Sequence, residues 1–292
     1  MTNLFPEFTG RRVDKDDADY PTAFNNLAQP PKSIWIAGTL AIAAPPAVAI
    51  VGTRHATPYG LRIAKAIAAA CARSGVCVVS GLARGIDGAA HEGALDAGGR
   101  TVAVLGTNLD SFYPRQHQAL QRRIANEGLL VTETKPGEPL HQGTFPRRNR
   151  MIAALSQLVV VVEAGPKSGA QITVEHAQSL GITVAAVPGL IDTQQAYGTN
   201  RLLRDGANVI AEPDDVLALL DVDSSPIAQP LLSGEDAQLW DALASGAADI
   251  ATLARRAGLS MRCAAGAVSA LEIAGLVQVD LMGNVQSLVA TR

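Results

Sequence analysis

Six short apolar runs, most of them closed by a glycine, constrain this chain more than any other feature. Val48-Ala49-Ile50-Val51 stops at Gly52, Val76-Cys77-Val78-Val79 at Ser80-Gly81, and Thr101-Val102-Ala103-Val104-Leu105 at Gly106. Leu129–Thr132 follows, then Leu158–Val162 ending at Glu163, and Thr183–Val187 ending at Pro188-Gly189. None of them alternates apolar with polar residues. Such a run fits a strand covered on both faces, which is the condition inside a parallel sheet. Helical patterns lie between the runs, over residues 61–73, 87–97, 117–127 and 170–180. The alternation predicts an α/β fold: a doubly wound parallel sheet over residues 31–220, preceded by a lead-in segment at 1–30.

Beyond residue 220 the pattern changes. Residues 221–232 are acidic and contain serine and proline, as a linker would. Over residues 233–292, three helical stretches (Leu239–Leu243, Ile250–Ala257, Met261–Ala274) precede two strand-like ones, Val277–Leu281 and Val285–Val289, around Met282-Gly283-Asn284. Helix, helix, turn, helix and a two-stranded wing is the pattern of a small winged-helix domain.

Charge and cysteine usage narrow the functional classes. The formal net charge is −3, but nine acids and no lysine or arginine lie between Ala211 and Ala254. The rest of the chain holds 24 basic and 18 acidic residues, so a basic body carries an acidic segment. That distribution admits a polyanionic partner. Cys71, Cys77 and Cys263 form no CxxC pair and are odd in number, which predicts reduced thiols and a cytoplasmic protein. The longest apolar stretch, Leu40–Val51, is too short to span a membrane and contains Pro45-Pro46.

In a parallel sheet the residues that follow the strands converge at one edge, where ligands bind. Gly52-Thr53-Arg54, Ser80-Gly81, Gly106, Glu163 and Pro188-Gly189 belong there, with the cations Arg54, Arg84 and Lys167 beside them. The basic run Phe145-Pro146-Arg147-Arg148-Asn149-Arg150, fixed by its proline, stands ahead of the apolar Met151–Leu155 and reads either as an ordinary solvated basic turn or as a cluster that receives an anion. It places guanidinium groups beside an aromatic ring, a combination suited to phosphates and a base. Neither GxGxxG nor GxxxxGK[ST] occurs, so no dinucleotide or ATP cofactor is expected. His55, His91, His117, His141 and His176 lack ligand spacing, so no metal is expected, and no catalytic residue is assigned. His91 is read as a packing residue of its helix rather than an acid–base group.

These motifs, taken together, resemble the DNA-processing protein A (DprA/Smf) family. The resemblance rests on Ile50–Arg54 with Tyr59-Gly60, Ser80–Asp87 with Ala90-His91, Ala103–Gly106 with Tyr113-Pro114, and Phe145–Arg150. It continues through Val162-Glu163-Ala164, Lys167-Ser168-Gly169, Val187-Pro188-Gly189 and Gly198-Thr199-Asn200, covering most of residues 20–210. It implies an extended Rossmann-like domain that forms a homodimer, binds and protects single-stranded DNA and helps load the RecA recombinase in transformation and recombination. By motif position, the DNA contacts would come from Gly52, Thr53, Arg54, Ser80, Gly81, Arg84, Phe145, Arg148, Asn149, Arg150, Lys167, Ser168, Gly169 and Asn200. Within the run, Phe145 would stack on a base, Arg148 and Arg150 would meet phosphates, and Arg147 would matter least.

The sequence also departs from the family pattern. The roughly 30 residues before Trp35 are too few for the helical domain that many members carry there. Ser168-Gly169-Ala170-Gln171 stands where members usually have Ser-Gly-Ser. The recognition-helix region holds Arg262 as its one base, which suits a protein-docking module as well as a duplex-DNA reader. Two rival readings remain: a phosphoribohydrolase-like enzyme, since Ser168–Glu175 echoes the tail of that signature, and a nucleotide sensor without turnover.

Overall fold

Each apolar run becomes a strand of one nine-stranded sheet in the computed structural model, which describes residues 10–138, 143–223, 232, 234–273, 276–280 and 283–287. Most of the 221–232 linker and His141 lie outside the described residues. The chain divides into two compact units, Met1–Ser224 and Ser225–Arg292.

In the first unit the elements are β1 (Arg11–Asp14), β2 (Ser33–Gly38), β3 (Ala47–Val51), α1 (Pro58–Arg73), β4 (Cys77–Ser80), α2 (Ile86–Asp96), β5 (Thr101–Val104) and α3 (Gln118–Glu127). They continue with β6 (Leu129–Thr132), α4 (Thr144–Ala154), β7 (Leu158–Val161), α5 (Ala170–Ser179), β8 (Thr183–Ala186), α6 (Tyr197–Arg204), β9 (Asn208–Val209) and α7 (Asp215–Leu219). The sheet order is β1-β2-β6-β5-β4-β3-β7-β8-β9. Strands β6 to β9 are parallel throughout, while β2 is antiparallel to β6 and β1 antiparallel to β2.

The continuous apolar runs follow from the two-residue period of a strand. Along β3, Val48 and Ile50 face the layer of α1, α2 and α7, while Ala49 and Val51 face the layer of α4 and α5. Both faces are covered, so no position can be polar at low cost.

Two elements depart from the sequence reading. Part of the lead-in forms β1, and Val13, Tyr20 and Phe24 are buried in the core under the sheet. The β1–β2 ladder carries the sheet beyond its parallel part, and the arginines of β1 gave it no apolar signature. The Phe145–Arg150 run is not a turn but the first half of α4. Pro146 sits in the first turn of that helix, where its missing N–H has no intrahelical partner to lose.

The second unit contains α8 (Glu235–Leu243), β10 (Ala248–Asp249), α9 (Ile250–Ala257), α10 (Met261–Ile273), β11 (Val277–Val279) and β12 (Asn284–Ser287). Its small sheet has the order β10-β12-β11, so two residues before α9 add a third strand to the wing. Leu239, Trp240, Leu253, Val268, Leu271, Val277 and Val285 form its core. Asp249 caps α9 by accepting from Thr252 N–H at 2.7 Å, and Gly258 ends it in a left-handed conformation, φ 69°.

Cys71 and Cys77 are fully buried, and burial pushes each thiol up to about 12, whereas Cys263 is only half-buried. A thiol reagent at neutral pH is therefore expected to modify Cys263 rapidly and Cys71 and Cys77 only after denaturation. Equally rapid modification of all three in the native protein would contradict this packing.

Candidate nucleic-acid interface

The direction of the chain across the sheet reverses at β3. It first runs outward through β4, β5 and β6, then returns to the other side of β3 with β7, β8 and β9. The loops after β3 and β7 therefore diverge and leave a crevice beyond their carboxyl ends. Thr53 N–H donates to the Glu163 carbonyl at 2.7 Å and holds the two loops together. The Glu163 carboxylate accepts from Thr57 N–H at 2.9 Å and from the Thr57 hydroxyl at 2.5 Å. Thr57 in turn caps α1 by accepting from Gly60 N–H at 3.1 Å. A side chain at Gly60 would overlap the Glu163 carboxylate, so that glycine admits an internal clamp.

Helical spacing distributes the arginines of α4 to different places. Arg148 turns inward and is buried. Its Nη1 donates to the carbonyls of Gly81, at 2.5 Å, and of Val104, and its Nε donates to Asn149 Oδ1 at 3.1 Å. One guanidinium thus ties the ends of β4 and β5 to α4. Arg147 and Arg150, three residues apart, lie on a common side of the helix. Both reach the Glu133 carboxylate after β6, at 3.0 and 2.6 Å. The Arg147 side chain is 64% exposed and that of Arg150 only 11%.

The crevice has a volume of about 350 Å³ and is lined by Gly52, Thr53, Arg54, Phe145, Arg148, Asn149, Lys167, Ser168 and Gly169 among others. Arg148 supplies part of its wall, but the Arg148 guanidinium donates to protein carbonyls. The exposed cations of the crevice are Arg54 and Lys167. The Arg54 guanidinium lies 5.3 Å from the centre of the Phe145 ring, and the Tyr113 ring packs 5.0 Å from the same centre at a 40° tilt. A Cβ at Gly106 would come within 2.7 Å of the Phe145 ring, so Gly106 leaves room for that stack. Asn149 Nδ2 donates to the Gly169 carbonyl at 3.2 Å, and Ser168 Oγ accepts from Ala170 N–H at 3.3 Å where α5 begins. An exposed guanidinium over an aromatic ring, with an ammonium opposite, can receive phosphate oxygens and a flat ring together.

The remaining expected contacts lie elsewhere. Ser80 is buried and donates its hydroxyl to the Ile50 carbonyl at 2.6 Å. Gly81 lies beneath Arg148. Asn200 clamps the loop after β8, accepting from Gly189 N–H at 3.1 Å and donating to its carbonyl at 2.9 Å. Arg150 faces Glu133, and Arg84 is exposed but does not line the crevice. Sequence reasoning did not pick out Glu133, although its place directly after β6 put it at the ligand edge. It likewise gave Tyr113 no role.

The sequence profile for DNA recombination-mediator protein A matches residues 11–221, and that for the DprA winged helix domain matches residues 223–280. The chain belongs to the DNA recombination-mediator protein A family. It is 40% identical to the DNA processing protein DprA of Streptococcus pneumoniae over 202 residues, which is 69% of this chain and 71% of that protein. The solved structure of the pneumococcal protein superposes with a TM-score of 0.69 at 38% identity, covering 73% of this chain and 75% of that one. DNA processing protein A from Helicobacter pylori, whose structure is described in terms of its single-stranded DNA binding mode, superposes at 0.67 with 31% identity. That match covers 76% of this chain and all of that one.

In this recombination-mediator fold the buried charges behind the crevice are mutually dependent. Asp87, in the first turn of α2, accepts from Gly81 N–H at 3.2 Å and Ala83 N–H at 3.4 Å. Burial raises its carboxyl above the usual range and the Arg148 charge opposes that rise. Burial also lowers Arg148, to about 10, and Asp87 opposes the fall. Removing one partner leaves the other charge buried and uncompensated. Arg148→Met is therefore expected to cost about 3–5 kcal/mol in urea unfolding. A loss below about 1 kcal/mol would show that the guanidinium does not hold the strand ends.

His91 packs inside α2 rather than facing the crevice. Its Nδ1 meets Thr101 Oγ1 at 2.7 Å, and the Thr101 hydroxyl donates to the Val78 carbonyl at 2.8 Å. The hydroxyl proton is thus already used, so His91 Nδ1 carries the proton on that side. Burial lowers the imidazole pKa to about 3. As pH falls below about 6.5 the unfolded chain takes up a proton that the folded chain refuses, and stability declines toward pH 3. His91→Asn, which keeps a donor for Thr101, is expected to flatten the decline in Tm between about pH 6.5 and 5, above the carboxylate range. An unchanged slope would refute the assignment.

Proposed function

We propose that the protein binds single-stranded DNA across the crevice between β3 and β7, as a non-enzymatic mediator that covers incoming strands and passes them to the RecA recombinase. The observation that carries this reading is the Arg54 guanidinium stacked over Phe145 at the switch point of the sheet, with Lys167 on the other loop. A base lying on the ring plane and phosphates held by the two cations would give sequence-tolerant, salt-sensitive binding. Family membership and the similarity to the Helicobacter pylori protein support the choice of ligand. Leu190 and Ile191, 73% and 99% exposed, offer apolar surface of the kind that self-association covers and support the reading of a homodimer. Among the described residues no helix is long and apolar enough to cross a membrane, and we place the protein in the cytoplasm.

The test is anisotropy of a labelled oligothymidylate at several salt concentrations. Arg54→Ala and Lys167→Ala are each expected to weaken binding about tenfold and to lower the log–log salt slope by about 0.7 for each phosphate no longer neutralised. Equal affinity for a mononucleotide and an oligonucleotide, or no salt slope, would sink the single-strand reading and favour a nucleotide sensor. The mediator role is tested separately, by RecA filament growth on strands coated with single-strand-binding protein. No acceleration by the wild-type protein would remove that role and leave the binding intact.

A further inference from the structure

We infer that the bound strand continues past the crevice to a second subsite at the start of β2, where Trp35 takes a base. This rests on the single-strand reading above and extends it along the sheet edge. Because β2 is antiparallel to β6, with Trp35 opposite Thr132, its first residues lie at the same edge as the carboxyl ends of the parallel strands. A cleft of about 660 Å³ opens there and includes Trp35 in its lining.

Its charge is one-sided. Arg12, Lys32, Lys135, Arg147 and Arg150 line it, and Glu133 is the one acid among its lining residues. Glu133 is already paired with Arg147 and Arg150. Lys32 and Lys135 are exposed, and neither ammonium has an ion-pair partner among the described residues. The Arg12 guanidinium lies 6.0 Å from the centre of the Trp35 ring, which repeats the guanidinium–ring pairing of Arg54 and Phe145.

The two sites are joined. A third depression, of about 530 Å³, shares Arg148 with the crevice and Glu133, Lys135 and Arg147 with the cleft. From β3 to β2 there are four strand spacings, roughly 19 Å, or about six phosphates at the ~3.4 Å step of a stacked strand. Arg147 stands on that path, which gives a role to the arginine of the run from which the sequence led us to expect least. A path lined by the exposed Lys32, Lys135 and Lys167, with an aromatic ring at each end, suits a nucleic-acid strand better than an acidic peptide, which has no use for two base-sized stacking faces.

The chain has two tryptophans, and Trp240 is buried in the winged-helix core, so Trp240→Phe leaves Trp35 as the reporter. Oligothymidylates of about four and about sixteen nucleotides distinguish the crevice alone from the whole path. The longer one is expected to quench Trp35 fluorescence and the shorter one is not. In the otherwise wild-type chain, Lys32→Ala with Lys135→Ala is expected to weaken the longer oligonucleotide about tenfold and leave the shorter unchanged, whereas Arg54→Ala weakens both. Arg54-dependent binding of both lengths, with no Trp35 quenching and no loss in the lysine variant, overturns the second subsite and leaves the crevice standing. Wild-type protein that binds neither length removes the crevice reading, and this inference with it.

Discussion

The Arg148 guanidinium joins three parts of the fold that backbone pairing alone would leave independent. The ends of β4 and β5 are strand termini whose carbonyls have left the ladder, and α4 approaches them from across the sheet edge. Buried carbonyls need donors, and a planar cation with several N–H groups can satisfy two of them from one side chain. Burying that cation is unfavourable, and Asp87 on α2 offsets the cost from the opposite helical layer. Once Arg148 is fixed, its neighbours on the same helix have little freedom. Phe145 lies over Gly106, Asn149 meets the loop before α5, and Arg147 and Arg150 converge on Glu133. The ligand-facing geometry follows from an internal anchor.

The parallel part of the sheet was legible because burial on both faces leaves a residue-by-residue signature. Val48–Val51 and Leu158–Val162 announce their strands without help from context. The β1–β2 extension was not, because β1 has one buried residue, Val13, among charged neighbours. The sequence leaves a turn open for the α4 segment because proline and three charged side chains carry a turn signal when taken locally, while the helix is decided by Met151, Ile152 and Ala153 packing on the sheet. The switch point could be placed from the strand sequence, and with it Gly52–Arg54 and Lys167–Gly169. Which arginine of the run turns inward could not be placed. That depends on the phase of α4 against β4 and β5, a property of tertiary packing.

The glycines at the strand ends carry a related lesson. Their positions put them at the edge where ligands bind. In the folded chain Gly81 and Gly106 are openings for Arg148 and Phe145, as Gly60 within α1 is for Glu163. The chain has filled those sites with its own side chains and presents the Phe145 ring, together with Arg54 and Lys167, to whatever binds.

This arrangement leaves a mark on how the protein can change over evolutionary time. Gly81 and Arg148 are 67 positions apart in sequence, yet they occupy one volume. Neither can drift alone. A larger residue at the first requires a smaller one at the second, and the smaller one abandons two carbonyls. Substitutions there must arrive together or through a poorly folded intermediate, so the pair is expected to be frozen in lineages even where the outward-facing cations are free to migrate along the groove.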